Sequence, residues 1–339
     1  MPVTLKDIAR KVGLSVPTVS EVLRNDPNSR LASDTRQRVL QAARELGYSH
    51  NIYARILSTG KSRLVGLLTD NLRVEVGLSK LQAVDDMIRS REYSTVMRKS
   101  EGLSKDEVQI LEEFSGRMVE GIIAVQGLMT PSFDAVSSLM KQGIPVVSIE
   151  PVAGLDVDCV TVDRRHGAYI AVKHLIETRH ERIAIVHGDL NSSGQKKFQG
   201  YKDALEEHGI QVDEKLMIPF EGPGGPGDGY DAMKALLSRK TGLTAIFCNN
   251  DQLAFGAMKA ILEAGLRIPE DIAVVGFDNI VLSAYAPVPL TTVQQPVEEI
   301  ARLATELLFG RIEGTNTAIP KQMIAVKPTL VVRQSSSIK

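Results

Sequence analysis

Short apolar runs alternate with amphipathic segments from Leu64 to Asn279, and this alternation limits the possible folds more than any other feature. The apolar runs are rich in Val and Ile, whereas the segments between them carry apolar residues at helical spacing. Such an alternation predicts a parallel sheet covered by helices on both faces. Because the series divides near Asp163, we expect an α/β fold with two doubly wound sheets. The predicted strands lie in LVGLLTD, YSTVMRKS, EGIIAVQG, PVVSIE, RIAIVHG, KLMIPF, TAIFCNN and DIAVVGFDN.

Polar residues follow most of the predicted strands directly. In open parallel sheets the ligand crevice lies beyond the carboxyl ends of the strands, so these residues could line a cleft between the two sheets. For any single Asp or Asn, capping of the next helix is the simpler interpretation. As a set, their donors and acceptors suit the hydroxyl groups of a small ligand. The set comprises Asp70, Asn71, Glu150, Asp163, Asn191, Ser192, Ser193, Asn250, Asp251, Asp278 and Asn279.

The beginning of the chain reads as three short helices. Thr4 caps the first, which ends at Gly13, and Ser15 caps the second, with Pro17 in its first turn. The third runs from Ser33 to Leu46. The first two form a helix-turn-helix pattern, whose second helix reads base edges in the major groove of DNA; an ordinary three-helix bundle with a solvated charged face is the alternative. The predicted core contains Ile8, Val12, Val19, Val22, Leu23, Val39, Leu40, Ala43 and Leu46.

The charge of the chain is unevenly distributed. Residues 1–63 carry 11 Lys and Arg against 5 Asp and Glu, whereas the whole chain carries 40 against 41. A basic head on an acidic body indicates that the head meets a polyanion. With no apolar run of about 18 residues and no basic and apolar leader, we expect a cytoplasmic protein without a membrane partner.

Motifs for catalysis, cofactors and metals are weak. Cys159 and Cys248 are too few for a disulfide framework and lack zinc-ligand spacing, so we expect both in the core. GPGGPG at 222–227 satisfies a dinucleotide-binding pattern, but it lies in the middle of the series and carries prolines where phosphate needs free N–H groups. TGKS at 59–62 lacks the upstream glycine of a P-loop. We therefore expect no cofactor, no metal and no enzymatic activity.

Two stretches resemble a known DNA-binding unit. VTLKDIARKVGLSVPTVSEVLRN and TRQRVLQAARELGY resemble the headpiece of the LacI/GalR family of bacterial repressors, and SHNIYARILSTGKS resembles its hinge helix. TAIFCNNDQLAFGAMKAILEAGLRIPEDIAVVGFDN, PLTTVQQP and KPTLVVRQSS resemble the regulatory core of that family, which is similar to periplasmic sugar-binding proteins. The resemblance covers essentially the whole chain. It implies a headpiece at 1–48, a hinge at 49–62, a core N-subdomain at 63–163 and 294–326, and a core C-subdomain at 164–293 and 327–339.

The resemblance also implies which residues contact DNA. Glu21 would be among the base-facing residues, where a carboxylate repels phosphate but accepts a hydrogen bond from cytosine N4, so it adds selectivity for a C·G pair rather than affinity. A solvent-facing Glu21 without a base partner is the alternative. Affinity would come from Lys6, Arg10, Lys11 and Arg24, with strong salt dependence. The base-facing residues are Val16, Pro17 and Glu21, and the phosphate-facing ones are Thr18, Ser20, Asn25 and Asn51.

Residues 51–57 are too few to form a stable helix alone, so we expect them to order only when docked. The resemblance implies that two such hinge segments of a dimer enter the minor groove, with Ala54 in contact with DNA and Leu57 as a wedge between base steps. Packing of Leu57 on the headpiece is the alternative.

The resemblance implies effector contacts from Asp70, Glu150, Asn250, Asp278 and Gln295, to which the strand ends add Asn71, Asn191 and Ser193. Lys197 completes the predicted site, but it stands where the family usually has an arginine, and a lysine lacks the bidentate fork. FEGPGGPGDGY also replaces larger side chains with a Gly and Pro loop. A mono- or disaccharide is the expected effector, and a nucleobase or a sugar acid remains open.

Together these features predict a homodimeric, ligand-responsive transcriptional repressor. Its two headpieces would bind a roughly palindromic double-stranded operator, and the segment from Leu78 to Met87 is a candidate dimer face. Two alternatives are a cytoplasmic sugar-binding module without a DNA role, which would leave residues 1–60 unexplained, and a Rossmann-type enzyme.

Overall fold

The computed structural model divides the chain into two compact units, Met1–Ser62 and Arg63–Lys339. The structure describes residues 3–23, 31–48, 61–70, 72, 74–100, 104–116, 119–125, 132–152, 154–188, 193–220, 222–316 and 319–337.

The described part of the first unit contains three helices, α1 (Leu5–Val12), α2 (Val16–Leu23) and α3 (Ser33–Glu45). A capping box starts α1, in which Asp7 Oδ2 accepts from the Thr4 backbone N–H at 2.9 Å, and Gly13 ends it at a left-handed φ of 70°. Ile8, Val19 and Val39 are fully buried where the helices meet. The prediction that Leu40 belongs to this core is wrong, because its side chain points outward and is 38% exposed.

The second unit contains two six-stranded sheets. The strands of sheet 1 are β1 (Leu64–Thr69), β2 (Ser94–Lys99), β3 (Gly121–Ala124), β4 (Val146–Ser148), β5 (Asp158–Val162) and β11 (Met323–Val326). Its helices are α4 (Glu75–Ser90), α5 (Ser104–Gly116), α6 (Phe133–Lys141) and α12 (Val297–Ile312). The strand order is β11-β5-β4-β3-β1-β2, and all of the pairings are parallel. Helix α4 packs on this sheet with Val84 and Ile88 fully buried.

The strands of sheet 2 are β6 (Ile183–His187), β7 (Met217–Pro219), β8 (Ala245–Cys248), β9 (Ala273–Asp278), β10 (Thr291–Gln294) and β12 (Thr329–Val331). The strand order is β12-β10-β9-β8-β6-β7, and the sheet is parallel except for the antiparallel pair β10 and β12. Its helices are α7 (Arg164–Glu177), α8 (Ser193–Glu207), α9 (Pro226–Ser238), α10 (Asp251–Glu263) and α11 (Leu282–Tyr285).

The chain passes between the sheets three times, after β5, after β10 and after β11. Sheet 1 is therefore completed by a strand from late in the chain. A buried ion pair fixes that return: Arg311 near the end of α12 donates to both carboxylate oxygens of Asp158 at 2.8 and 3.0 Å. Gln294, which the sequence analysis assigned to the first subdomain, belongs to β10 of sheet 2.

Three further observations bear on function. Cys159 and Cys248 are both buried and free, as predicted. In the described part of the chain, no group of three or more His, Cys, Asp and Glu side chains could hold a metal ion. No described helix combines the length and apolar character that a membrane crossing requires.

Candidate functional site: a DNA-binding helix and an effector cleft

Helix α2 presents the candidate base-reading residues. Pro17 is exposed in its first turn, and Glu21 is half-buried in its last. The hydroxyl of Ser15 accepts from the Thr18 backbone N–H at 3.2 Å and lies 2.8 Å from the Thr18 hydroxyl, so Thr18 takes part in capping the helix. Val16 packs against the headpiece core, and this leaves only part of its side chain for a base contact.

The other predicted DNA contacts divide into two groups. Ser20 is half-buried on α2, while Lys6 and Arg10 are exposed on α1. Lys11 forms an ion pair with Glu45 at 2.7 Å, and this carboxylate partly neutralises its charge. The remaining predicted contacts lie outside the described residues: Arg24, Asn25, Asn51, Ala54 and Leu57.

Charged side chains from both sheets meet where the strands of each sheet end. On the sheet 1 side, Lys80 of α4 lies 3.5 Å from Glu150, which follows β4. Arg164, the first residue of α7, donates to the same Glu150 oxygen and to the Thr161 hydroxyl. Burial alone would raise the pKa of Glu150, but the charges of Arg164 and Lys80 outweigh it and hold that pKa below its usual value.

Lys197 of α8 lies on the sheet 2 side of the same group. Its ammonium donates to the Asn249 carbonyl at 2.6 Å and sits 3.9 Å from the centre of the Phe277 ring. The side chain is 6% exposed, and burial lowers its pKa to about 8 even though Asp278 opposes the shift. The charges of Arg164, Glu150 and Lys80 also act on this pKa, after burial and Asp278.

Asp278 at the end of β9 and Gln295 after β10 are joined by a hydrogen bond. Gln295 Nε2 donates to Asp278 Oδ1 at 2.6 Å, and Gln295 Oε1 is buried without a hydrogen-bond partner among the described residues. Burial raises the pKa of Asp278, and Lys197 opposes that shift. Both residues also line a cavity of about 440 Å³ bounded by α4 and by residues 278–281.

The turn after β9 holds Asp278 in an unusual backbone conformation. Asp278 and Asn279 have φ values of 118° and 51°, a region that residues other than glycine rarely adopt. Asp251 braces this turn from α10, because its carboxylate accepts from the Ile280 N–H at 2.9 Å and from the Ser283 hydroxyl at 2.7 Å. Burial, with the charge of Asp278 second, raises the pKa of Asp251 to about 7.

A direct contact joins the two subdomains at the same turn. The Val281 N–H donates to Glu75 Oε1 at 2.8 Å, and Glu75 begins α4 on the sheet 1 side. This hydrogen bond ties the Asp278 turn to α4, which packs on sheet 1.

The remaining predicted cleft residues have mixed placements. Asp70 follows β1, where burial raises its pKa. Asn250 caps α10 by accepting from Leu253 N–H at 2.7 Å and donates to the Gly224 carbonyl, so its amide is already used on both sides. Asp163 likewise caps α7 through the His166 N–H. Asn71 and Asn191 lie outside the described residues, as does the side chain of Ser193.

Two N–H groups of the glycine-rich loop before α9 are bonded within the chain. Asp228 Oδ2 accepts from the Gly224 and Gly225 N–H groups at 2.8 and 2.9 Å. The carboxylate of the chain itself is thus bonded to two N–H groups of this loop, as in a capping box at the start of α9.

Lys80, Arg164 and Glu75 were missed by the sequence analysis. Lys80 had a detectable signal, because it lies one helical turn before the buried Val84 and thus places a charge on the apolar face of α4. Arg164 and Glu75 carry no such signal, since each is the first residue of its helix and reads as an ordinary helix start.

Comparisons with known proteins identify relatives of both units. The family description "Bacterial regulatory proteins, lacI family" matches residues 4–51, and "Periplasmic binding protein-like domain" matches residues 172–336. The chain is 30% identical to the HTH-type transcriptional repressor PurR of Haemophilus influenzae (strain PittEE), covering 98% of both proteins. It is 34% identical to PurR of Proteus mirabilis (strain HI4320), covering 98% of this chain and 96% of the relative. It is also 30% identical to the HTH-type transcriptional regulator DegA of Bacillus subtilis (strain 168), covering 99% of both.

Solved structures give the same relationship. The lac repressor dimer bound to operator and the anti-inducer ONPF superimposes with a TM-score of 0.85 at 26% identity, covering 99% of both chains. A complex of the transcriptional regulator CelR with cellobiose superimposes with a TM-score of 0.73 at 27% identity, covering 98% of this chain and 99% of the other.

Proposed function

The chain belongs to the lacI family of bacterial regulatory proteins, and from that premise we propose that a polyhydroxylated small molecule in the cleft controls its affinity for an operator. Family membership makes the chain a DNA-binding transcriptional repressor with an effector-binding domain, and its relatives are regulators rather than enzymes. We propose the identity of the effector, the residues that bind it and the dimeric state.

One observation carries the proposal for the effector: buried polar groups from both sheets converge at the strand ends. Asp278 and Gln295 supply hydroxyl acceptors, and Lys197 supplies a donor at the ends of β8 and β9, where it contacts the Asn249 carbonyl and the Phe277 ring. Buried polar groups require partners, so a ligand with several hydroxyl groups satisfies more of them than an apolar ligand.

A nucleobase is the second candidate, because several relatives are named PurR. A flat base would need a stacking surface. Phe277 is fully buried under the Lys197 ammonium, whereas Phe220 is partly exposed and lies against Gly188 and Gly224, so Phe220 is the candidate stacking ring near the strand ends. The charged groups favour the polyol, and a ligand screen separates the two.

For DNA binding we propose that Glu21, Val16 and Pro17 face bases, while Thr18 and Ser20 face phosphates. The same proposal extends to the predicted contacts outside the described residues. Exposure of Pro17 and partial exposure of Glu21 on α2 support it.

We also propose that this repressor acts as a homodimer, in line with the lac repressor, which binds its operator as a dimer. Two exposed apolar features support it. Leu78 on α4 is 43% exposed, within the segment predicted as a dimer face. On sheet 2, Leu282 and Tyr285 are 59% and 79% exposed beside a groove of about 580 Å³ that Leu262 also lines.

The proposed mechanism is a shift between two arrangements of the subdomains. A ligand that contacts Asp278 changes the turn that Val281 ties to Glu75, and so favours one orientation of α4 over another. Coupling between two sites in such systems is typically about 1 to 3 kcal/mol, enough to change operator affinity roughly 5- to 150-fold.

A thermal-shift screen of carbohydrates and purines, followed by gel shift on the promoter region of the protein's own gene, tests the proposal. Asp278→Asn should abolish the response to any ligand found, because it removes the carboxylate while asparagine tolerates the left-handed backbone. Asp231→Asn, on the exposed side of α9, is the matched control and should respond like the wild type. Full response in Asp278→Asn would refute the assignment of the cleft.

A further inference from the structure

The cavity beside the Asp278 turn is lined by acidic and uncharged side chains. It holds about 440 Å³ between α4, the turn after β9 and the start of α12, which is within the range of roughly 300 to 1,000 Å³ for small-molecule sites. No Lys or Arg is among the described residues that line it. Its carboxylates belong to Asp278 and to three rim acids, Glu75, Asp86 and Glu298.

The rim acids lack basic partners in the described part of the chain. Asp86 and Glu298 are exposed, and neither belongs to a described ion pair. Arg89 and Arg302, which share their helices, pair with other carboxylates at 2.7 and 2.6 Å. Glu75 also belongs to no described ion pair, although one of its oxygens accepts from a backbone N–H of the turn at 2.8 Å.

Cations behind the turn reduce this negative charge without cancelling it. Burial raises the pKa of Asp278, and three cations oppose that shift: Lys197, Lys80 and Arg164. A fourth cation, Arg333, donates to Asn279 at 2.8 Å without lining the cavity. These four cations face five carboxylates, those of Asp278, Glu150 and the rim acids, and Asp251 is a sixth acid when ionised. The cavity and its surroundings therefore carry net negative charge.

The cavity also contains a buried acceptor that needs a donor. Gln295 lines it and is 4% exposed, and its Oε1 is buried without a hydrogen-bond partner among the described residues. The amide nitrogen is already used, because Nε2 donates to Asp278 Oδ1 at 2.6 Å. Since a buried acceptor without a donor is costly, an N–H or O–H group of a ligand would stabilise this arrangement.

Uncharged polar side chains complete the lining. Ser79, Gln82 and Gln294 are exposed at the cavity and carry hydroxyl or amide groups. An amide offers both donors and acceptors, and a hydroxyl group of a ligand can use either. The cavity thus combines places for hydroxyl groups with a place for a positive charge.

We propose that the effector is an amino polyol, whose ammonium group binds the carboxylates of this cavity while a hydroxyl group donates to Gln295. This inference rests on the proposed function, because it specifies the charge of the ligand in the same cleft. An ammonium has three donors and a positive charge, so it suits several carboxylates at once. A sugar acid would be repelled by the same carboxylates.

Matched pairs of probes test the charge directly. Binding of D-glucosamine and D-glucose, of D-galactosamine and D-galactose, and of 1-amino-1-deoxy-D-glucitol and D-glucitol would be measured by calorimetry with the full-length protein. N-acetyl-D-glucosamine keeps the nitrogen without its charge, and D-glucuronate carries the opposite charge. Putrescine is a cation without hydroxyl groups, and hypoxanthine tests the purine alternative. We expect at least one amino polyol to bind about 10-fold or more tightly than its neutral partner.

Substitutions of the rim acids then assign the effect to this cavity. Asp86→Asn and Glu298→Gln change only exposed side chains, so both variants should fold normally. Each should weaken binding of the amine about 3-fold, the size expected for one exposed ion pair, and leave the neutral partner unchanged. The double variant should weaken it about 10-fold. Asp231→Asn, on the exposed side of α9, is the matched control and should bind both ligands like the wild type.

The inference is overturned if no amino polyol binds, or if the neutral partners, D-glucuronate, putrescine or hypoxanthine bind equally or more tightly. An unchanged preference for the amine in the double variant also overturns it, because the charge would then be recognised elsewhere. A neutral polyol that changes operator binding in a gel shift would leave the proposed function standing while it refutes the positive charge. A protein that binds no operator at all refutes the proposed function instead.

Discussion

Replacing Lys197 with methionine should stabilise the ligand-free protein near neutral pH. Burial lowers the pKa of this lysine from 10.5 to about 8. The unfolded chain therefore binds the proton more tightly than the folded chain, and the cost of the buried charge is fully present below pH 8 and is lost as the pH rises toward 10.5. The difference between the two values corresponds to about 3 kcal/mol.

Part of that gain is lost again in the variant. Methionine has nearly the same length but leaves the Asn249 carbonyl without its donor, which costs about 1 kcal/mol. We therefore expect the free energy of unfolding of Lys197→Met to exceed that of the wild type by about 2 kcal/mol near pH 7. Between about pH 7 and pH 9.5 this advantage should shrink by about 2 kcal/mol, because the wild-type lysine loses its proton in the folded state.

Urea unfolding of both proteins across that pH range measures the two quantities. Lys234→Met is the control, since Lys234 also lies near an aromatic ring, 5.3 Å from the centre of Tyr230, but on an exposed surface. The control should show no comparable pH-dependent difference. A variant that is less stable than the wild type by a constant amount at every pH would refute the reasoning, because the folded state would then already compensate the charge.

Three further outcomes are expected. Glu21→Gln should change the preferred base at one position of each half-site with little loss of total affinity, as measured by selection of operator sequences; an unchanged preference would place Glu21 in solvent. Asp251→Ala should destabilise the protein by about 3 kcal/mol, because it leaves the Ile280 N–H and two hydroxyl groups unpaired. Hydrogen exchange should also accelerate at residues 278–283, and unaltered exchange there would show that the turn does not depend on Asp251. Tyr285→Glu should shift the sedimentation equilibrium toward the monomer if the exposed apolar surface is the dimer face, and an intact dimer would exclude that surface.

The sequence predicted those elements whose local pattern agrees with their environment. Strands such as β1 and β9 are nearly continuous apolar runs and were found. Strand β5 was not named because Asp158 and Thr161 interrupt its apolar pattern, although both are buried in the structure. Asp158 can be buried because Arg311, far along the chain, donates to both of its carboxylate oxygens.

The cleft was predicted less completely than the fold, because its contacts join residues that are distant in the sequence. Asp278 and Glu150 could be named from their positions after strands, but their partners depend on which distant groups meet there. Glu150 pairs with Lys80 from a helix and with Arg164 from the next subdomain, and no local pattern fixes either contact. The spacing of residues in the sequence does not show that Lys197 lacks a carboxylate in direct contact among the described residues. It also does not show that Asn250 both caps α10 and donates to the Gly224 carbonyl.

The late arrival of β11 has a consequence for synthesis of the protein. The ribosome delivers β5 first, then every strand of sheet 2 except β12, and only afterwards residues 323–326 that cover the open side of β5. Until then β5 presents unpaired N–H and C=O groups, which can template pairing with a neighbouring nascent chain. A stop codon shortly before Met323 should therefore yield aggregates rather than a smaller active repressor.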